Sequence, residues 1–465
     1  MSTEKNMTDE TLPIEDAEEL IVDQGLIDDI LQLIQENDHF SLTNILADLN
    51  HADVAQIINH LSTDDALYIF KLLPGEIAAT VLLEADDDHR QFILDSLEQS
   101  KITDIIDEMD SDDAADVIRD LDEDVAEEVL RSIDAEDSED VKSLLKYTED
   151  SAGGLMATEF ISIHEDSVIQ DAVFEVKKQA EAVEDVYHLY VLDNAQKLVG
   201  TIDLKTLIIT PSNKKLSEVM DREFQSVHVN DDQEVVAKIM QDHDLVSIAV
   251  LNDDQQMVGV ITIDDIVDVI REEAEEDIQR LTGVNEEGYS SNPMKIVASR
   301  LPWLLIGLFG ELISGLVITG AEGTLQKVIA LTAYIPLVMA MGGSTGVQST
   351  SIVIQALSRG DLWVSDLSKR LLKELTVGLI NSGVCALIIF LISLSSTGSV
   401  VLGLTISLSL IFVMVNATML GTVIPIVLKR FDIDPAIATG PFVTTLNDII
   451  GLTIYFGIAY LIFFL

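Results

Sequence analysis

The chain has 465 residues, of which 81 are acidic and 27 basic, for a net charge of −54, and it carries one cysteine. Such acidity excludes nucleic acid as a partner, because phosphate binding needs clustered Lys and Arg, and a single cysteine excludes an internal disulfide framework. The charge is uneven: residues 1–287 hold 73 acidic and 18 basic residues, whereas residues 288–465 hold 8 and 9, so a charged front is joined to an apolar back.

The first residues, MSTEKNMTDETLPIEDAEEL, are polar and acidic. They lack the basic start and apolar core of a signal peptide and are expected to form a short disordered lead-in, followed by a first helix, over residues 1–39. Residues 40–150 read as a string of short helices with starts near Ala52, Asp65, Glu76, His89, Lys101, Asp113 and Asp124. Apolar residues recur at helical spacing in DVAQIINHL, DALYIFKLL, DAADVIRDL and DVAEEVLRSI, with Asp and Ser between them as caps. No helix of this length buries its apolar face alone, so the segment predicts an all-α, solenoid-like superhelix.

From residue 155 to 272 the pattern changes. Residues 187–209 (YHLYVLDNAQKLVGTIDLKTLII) and 246–268 (VSIAVLNDDQQMVGVITIDDIVD) align without a gap, with six of 23 positions identical. Each has an apolar strand, a polar turn, a second strand opening on Val-Gly, and a helix. The repeat resembles a tandem pair of cystathionine-β-synthase (CBS) domains, here 151–212 and 213–270. That resemblance implies an α+β pair that dimerises and senses a ligand. The second copy fits the family's nucleotide-ribose pattern through Thr262 and Asp265, which makes ATP a candidate ligand. The first copy has Asp203 at the Thr262 position and fits poorly.

Residues 271–295 form an acidic connecting segment, whose helix begins in the second repeat. Asp265, Asp268, Glu272, Glu273, Glu275, Glu276 and Asp277 crowd about three turns, where like charges destabilise a helix. Solvation relieves that repulsion on an exposed face; a divalent cation, held by hard oxygen ligands, relieves it more strongly.

The back of the chain, 296–465, shows five apolar runs of spanning length: 301–320, 328–357, 375–394, 400–428 and 436–464. Lys295, Arg300, Arg359, Lys369, Arg370, Lys373, Lys429 and Arg430 flank them on one side, and Lys327 stands on the other. The positive-inside rule then predicts a plasma-membrane protein with a cytoplasmic N-terminus and an external C-terminus, surrounded by membrane lipid. The second run, with Pro336 and Gly342–Gly343, predicts a helix break of the kind that marks ion sites. Ser344, Thr345 and Gln348 add oxygen-bearing side chains nearby. The last run is predicted to start with Asp434 as N-cap and Pro435 in the first turn. It holds Asp448, for which burial in a bilayer costs roughly 2.5–3.5 kcal/mol, so the residue is expected to line a polar path. Thr444 and Thr445, four and three residues earlier, are expected on its face. Glu311 in the first run either belongs to that path or is held structurally.

The order of parts, with YTEDSAGGLM at 147–156, GGSTGVQS at 342–349 and IDPAIATGPFVTTLNDIIGLTIYF at 433–456, resembles the MgtE-type magnesium channels from about residue 40 to the end. The resemblance implies a homodimer with one pore and Asp448 as the Mg²⁺-selecting residue. Thr444, Thr445, Asn447, Gly343, Ser344 and Gln348 are the other candidate pore residues. It also implies that cytosolic Mg²⁺ closes the pore by bridging the helical domain, the CBS pair and the connecting helix. The matching acids are Asp112 and Asp116, with Glu234, Asp244, Asp265, Asp268, Glu273, Glu276 and Asp277. One departure stands out: family members carry Asn in the second-run turn where this chain has Ser344 and Val347. That leaves open another cation, such as Co²⁺ or Mn²⁺, or a membrane-anchored divalent-cation sensor with altered conduction. No GxxxxGK[ST] loop occurs, all eight histidines precede residue 244, and no HExxH is present, so the expectation is not an enzyme.

Overall fold

The computed structural model describes residues 22–179, 183, 186–282, 293–358, 367–431, 435 and 441–464. The expected lead-in before residue 22 and the expected Asp434 cap lie outside these residues. The chain divides into two compact units, 1–270 and 271–465.

The first unit opens with ten short helices, α1 to α10: Gln24–Glu36, His39–Ala47, His51–His60, Thr63–Phe70, Gly75–Leu83, Asp87–Ser96, Gln99–Ile106, Ser111–Arg119, Glu123–Ser132 and Ala135–Leu144. Their starts are written in the sequence. Asp23, Asp38, Asn50 and Ser62 each accept a hydrogen bond from the backbone N–H three residues on. From α3 onward helices pack on their next-but-one neighbours, α3 on α5, α4 on α6, α5 on α7, α7 on α9 and α8 on α10. This superhelix encloses a continuous core with Ile30, Ile57, Ile69, Leu82, Ile93 and Leu144 fully buried.

The short helix α11 (Ala152–Leu155) joins the superhelix to the second repeat. Ala152 and Gly153 donate backbone hydrogen bonds to the carbonyls of Asp231 and Val229, at 2.7 and 2.9 Å. The glycine pair is a steric requirement: a Cβ at Gly153 would lie 2.5 Å from the Tyr147 ring, and one at Gly154 2.2 Å from the Thr148 carbonyl oxygen. The YTEDSAGGLM motif is therefore a joint between domains.

Each repeat is a three-stranded sheet. In the first, β1 (Ser162–His164) pairs in parallel with β2 (His188–Leu192) after α12 (Ile169–Gln179), and β2 pairs antiparallel with β3 (Leu198–Asp203), followed by α13 (Leu204–Ile209). The second repeats this with β4 (Ser226–His228), α14 (Gln233–Asp242), β5 (Ser247–Leu251) and β6 (Met257–Thr262). The likeness extends to detail: each hairpin shifts register at one equivalent step, Val191/Leu192 and Val250/Leu251, and each turn holds a Gln at φ 62°, Gln196 and Gln255. Tyr190, Leu192 and Leu198 pack with Ala249, Met257 and Val260 in one core between the repeats. The long acidic helix α15 (Ile263–Thr282) follows β6 directly.

Among the described residues, the second unit contains five helices long and apolar enough to cross a membrane. They are α16 (Pro293–Gly320), α18 (Ile335–Ser358), α19 (Leu367–Thr397), α20 (Val400–Arg430) and α21 (Pro441–Phe464), with a short α17 (Glu322–Lys327) after the first. The expected break at Gly342–Gly343 is absent, because α18 runs through the pair without interruption. The irregular piece is a 3₁₀ segment at Ile329–Tyr334, just before Pro336. Pro336 then sits in the first turn, where no helical hydrogen bond is lost. The glycines serve close packing instead. A Cβ at Gly342 would stand 2.8 Å from both Asn447 and Val413, and one at Gly421 2.6 Å from the Gly346 carbonyl. Helix α19 starts two turns earlier than the apolar run predicts, because Arg370 and Glu374 pair at 2.8 Å and extend it through charged residues.

Candidate functional site

Two columns of α18 side chains at i, i+4 spacing, Met339–Gly343–Val347 and Ala340–Ser344–Gln348, face Thr444 and Asp448 of α21. Together they line an open groove of about 560 Å³. Its polar members are a hydroxyl pair, an amide and a carboxylate, the hard oxygen donors that suit Mg²⁺ or another hard divalent cation. Val347 puts an apolar side chain in the same wall.

Five of the seven candidate pore residues, Gly343, Ser344, Gln348, Thr444 and Asp448, meet on this groove. The other two do not. Thr445, expected on the Asp448 face, packs against α16, where a Cβ at Gly310 would fall 1.6 Å from its Cγ2. The reason is rotational: consecutive residues on a helix sit about 100° apart, so only the i−4 threonine stays on the groove. Asn447 is fully buried behind the groove, against Gly342. Glu311, next to Gly310, is in hydrogen-bond contact with the Asp448 carboxyl. That contact could not be read from spacing, since nothing local to α16 points to α21.

A second constellation lies in the first unit. Asp112 and Asp113 occupy the first turn of α8, and Asp264 and Asp265 the first turn of α15. Burial, then the charge of Asp265, pushes the Asp112 carboxyl well above its ordinary range. Burial and the neighbouring acids push Asp113 and Asp265 up to about 7. Asp116, one turn on and more exposed, is raised by desolvation against the opposing charge of Arg119, whose guanidinium it accepts a hydrogen bond from at 2.5 Å. Asp113 and Asp264 were not among the sequence candidates, although each is half of an Asp-Asp pair at a helix start. Ser111 anchors α8 here, donating at 2.7 Å to Glu159 and accepting at 2.9 Å from the Thr158 backbone.

The remaining candidate acids are more dispersed. Glu234 stands in the first turn of α14 and Asp244 just past its last residue, at φ 52°. At 1.5 Å per residue the two are roughly 15 Å apart along the helix, too far to share an ion within one chain. Asp268 is exposed one turn after Asp265, and Glu273, Glu276 and Asp277 lie further along α15. Among the described residues, no three His, Cys, Asp or Glu side chains are arranged to hold a metal ion.

The candidate nucleotide residues have partners of their own. The Thr262 hydroxyl donates to Asp264 and, at 3.0 Å, to Asp265, whose carboxylate also accepts from the Thr262 backbone N–H at 3.4 Å. This is a capping arrangement for α15. In the first repeat the pair is reversed: Asp203 caps α13 by accepting from the Thr206 backbone at 2.6 Å. The cleft between the repeats, lined among others by His188, Tyr190, Ser247 and Thr262, has a cavity volume of about 10 Å³, about one water's worth.

Residues 335–458 match the MgtE divalent cation transporter family, residues 49–150 the MgtE intracellular N domain, and residues 152–211 and 216–272 the CBS domain. Over 320 residues the chain is 36% identical to the magnesium transporter MgtE of Bacillus subtilis (strain 168), covering 69% of this chain and 71% of that one. It is 34% identical, with the same coverage, to the magnesium transporter MgtE of Enterococcus faecalis (strain ATCC 700802 / V583). Among solved structures it is similar to the cytosolic domain of the Mg²⁺ channel MgtE in complex with ATP, at 27% identity and a TM-score of 0.50, covering 52% of this chain and 99% of that one.

Proposed function

Because this chain belongs to the MgtE family of divalent-cation transporters, we propose that it is a Mg²⁺-selective channel for magnesium uptake, closed by cytosolic Mg²⁺. The family is one of transporters, and the protein is not an enzyme. The observation that carries the reading is the groove in which Asp448 stands with Ser344, Gln348 and Thr444. Mg²⁺ loses its water reluctantly and needs few direct ligands. A single carboxylate flanked by hydroxyl and amide oxygens holds the hydrated ion without stripping it. Two such grooves facing each other in a homodimer would enclose one path. The membrane potential supplies the driving force, roughly 2.3 kcal/mol per charge per 100 mV and twice that for a divalent ion. The basic residues flanking the helices support a plasma-membrane protein with the acidic half in the cytoplasm.

Closure would draw on the acids. Asp112, Asp113, Asp116 and Asp265 crowd between α8 and α15, and a cation entering there relieves both burial and repulsion. Glu234, Asp244, Asp268, Glu273, Glu276 and Asp277 extend the same acidity toward other surfaces, including those of a second copy. ATP is the proposed ligand of the CBS pair, supported by the ATP complex of the related cytosolic domain. Its entry requires the cleft between the repeats to widen.

The test is Mg²⁺ uptake by the protein in liposomes under an inward gradient, with Mg²⁺ on the cytoplasmic side kept low. Uptake by the parent that Asp448→Ala abolishes, with the variant folded and dimeric, supports the channel. An inactive parent sinks it. Val347 in the groove wall motivates repeating the assay with Co²⁺ and Mn²⁺, and if these also fail to pass the protein is a divalent-cation sensor.

A further inference from the structure

Asp116 already has a cation on it: its carboxylate accepts a hydrogen bond from the Arg119 guanidinium at 2.5 Å. The two ends of this pair differ in access. The Asp116 side chain is 58% exposed, whereas that of Arg119 is only 13% exposed. The acid is open to solvent, and the base is held by the protein.

Two further groups hold Arg119. Its guanidinium lies 3.7 Å from the Glu149 carboxylate and 3.5 Å from the Leu144 carbonyl at the end of α10. The last carbonyls of a helix attract a cation. Glu149 belongs to the YTEDSAGGLM joint, three residues before the backbone N–H groups that bond the second repeat. Isolating a buried guanidinium is strongly unfavourable, but passing it from one carboxylate to another is not. Arg119 therefore has a partner to keep when it lets Asp116 go. Asp116 in turn acts on the charge of Asp265 across the cluster. A divalent cation drawn to these acids thus meets Arg119 as a competitor.

We infer that Arg119 is a built-in counter-ion that competes with a divalent cation for Asp116, and so raises the cation concentration at which the acids between α8 and α15 fill. This rests on the reading above that those acids bind a divalent cation. A single positive charge yields to a double one only above a threshold, which suits a site that has to empty when the cation falls. The displaced guanidinium stays with Glu149, at the joint to the second repeat.

The experiment titrates Mg²⁺ into the full chain in detergent and reads the rise in unfolding temperature for the parent, Arg119→Gln and Arg119→Lys. Gln keeps hydrogen-bond donors without the charge, and Lys keeps the charge. The Mg²⁺ concentration giving half the rise is expected to fall about tenfold or more in Arg119→Gln, as removing a full charge near a divalent ion requires, and to stay near the parental value in Arg119→Lys. Arg119→Met keeps the apolar stem and serves as the neutral variant if Arg119→Gln does not fold. An arginine that only holds the fold together would leave that concentration unchanged or raise it, and either result in the neutral variant overturns the inference alone. So does an equal fall in Arg119→Lys, which would assign the effect to packing rather than charge. A parent whose unfolding temperature does not respond to Mg²⁺ overturns the cation reading of these acids, and this inference with it.

Discussion

Asp448 is a short side chain, and its position on the groove leaves charge as its main contribution. At an effective dielectric near 20, a single negative charge about 5 Å from a divalent cation is worth roughly 6–7 kcal/mol. Losing even a third of that exceeds a tenfold change in occupancy. Asp448→Asn keeps the size and the acceptor oxygen, so Mg²⁺ uptake should fall at least tenfold while the unfolding temperature holds. Parental uptake by Asp448→Asn would remove the charge from the argument. The candidacy of Asp448 is legible in the sequence, because a lone carboxylate in a long apolar run has few structural uses. Its neighbours are less so. Helical spacing places Thr444 on the groove, but it cannot decide that Thr445 turns to Gly310 or that Glu311 reaches across from α16. Those contacts depend on which faces of two helices meet, and α16 and α21 are apolar nearly all round, so no stripe marks the face.

Glycine sets that meeting for whole helices. Gly310 lets α16 approach Thr445, and Gly342 and Gly421 let α18 close on α20 and α21. Without a hydrophobic drive between helices in lipid, such close contact supplies much of the association. Gly310→Val would force a side chain into the 1.6 Å space before Thr445 Cγ2 and push α16 from α21. Overpacking of this kind typically costs 1–3 kcal/mol. The expected outcome is a lower unfolding temperature in detergent together with reduced uptake, since the Glu311 contact to Asp448 separates as well. An unchanged unfolding temperature would mean that this helix pair is loosely held. At this scale, too, the elements were readable and their continuity was not. Short helices betray their starts through Asp, Asn and Ser caps, and the two repeats show in paired strands and turns. The glycine pair in α18 reads equally as a break or as a contact surface, and only the neighbours Asn447 and Val413 decide for contact.

For the molecule as a whole, a net charge of −54, all of it carried by residues 1–287, makes self-repulsion a term in every conformational balance. Most of that charge is solvated. The acids between α8 and α15 are different, because Asp113 and Asp265 are raised from 3.8 to about 7 and Asp112 well above its ordinary value, by burial first and by neighbouring acids next, Asp265 for Asp112 and Asp113, and Asp264 for Asp265. A carboxyl raised on folding binds protons more tightly in the folded chain than in the unfolded one. Its contribution to stability is therefore fully present below about pH 4 and is lost as pH rises through about 7. Without divalent cations, the unfolding temperature of the first unit should fall between pH 5 and pH 8. Replacing Asp113 and Asp265 together by Asn should flatten that fall, because the amides bury without a proton. A divalent cation takes the place of the missing protons, so added Mg²⁺ should raise the unfolding temperature strongly at pH 8 and little at pH 5, and less in the double variant than in the parent. Calorimetry of the full chain in detergent, scanned over pH with and without Mg²⁺, gives all four curves. Equal Mg²⁺ stabilisation in parent and double variant would place Mg²⁺ binding among the other acids, along α14 and the outer turns of α15.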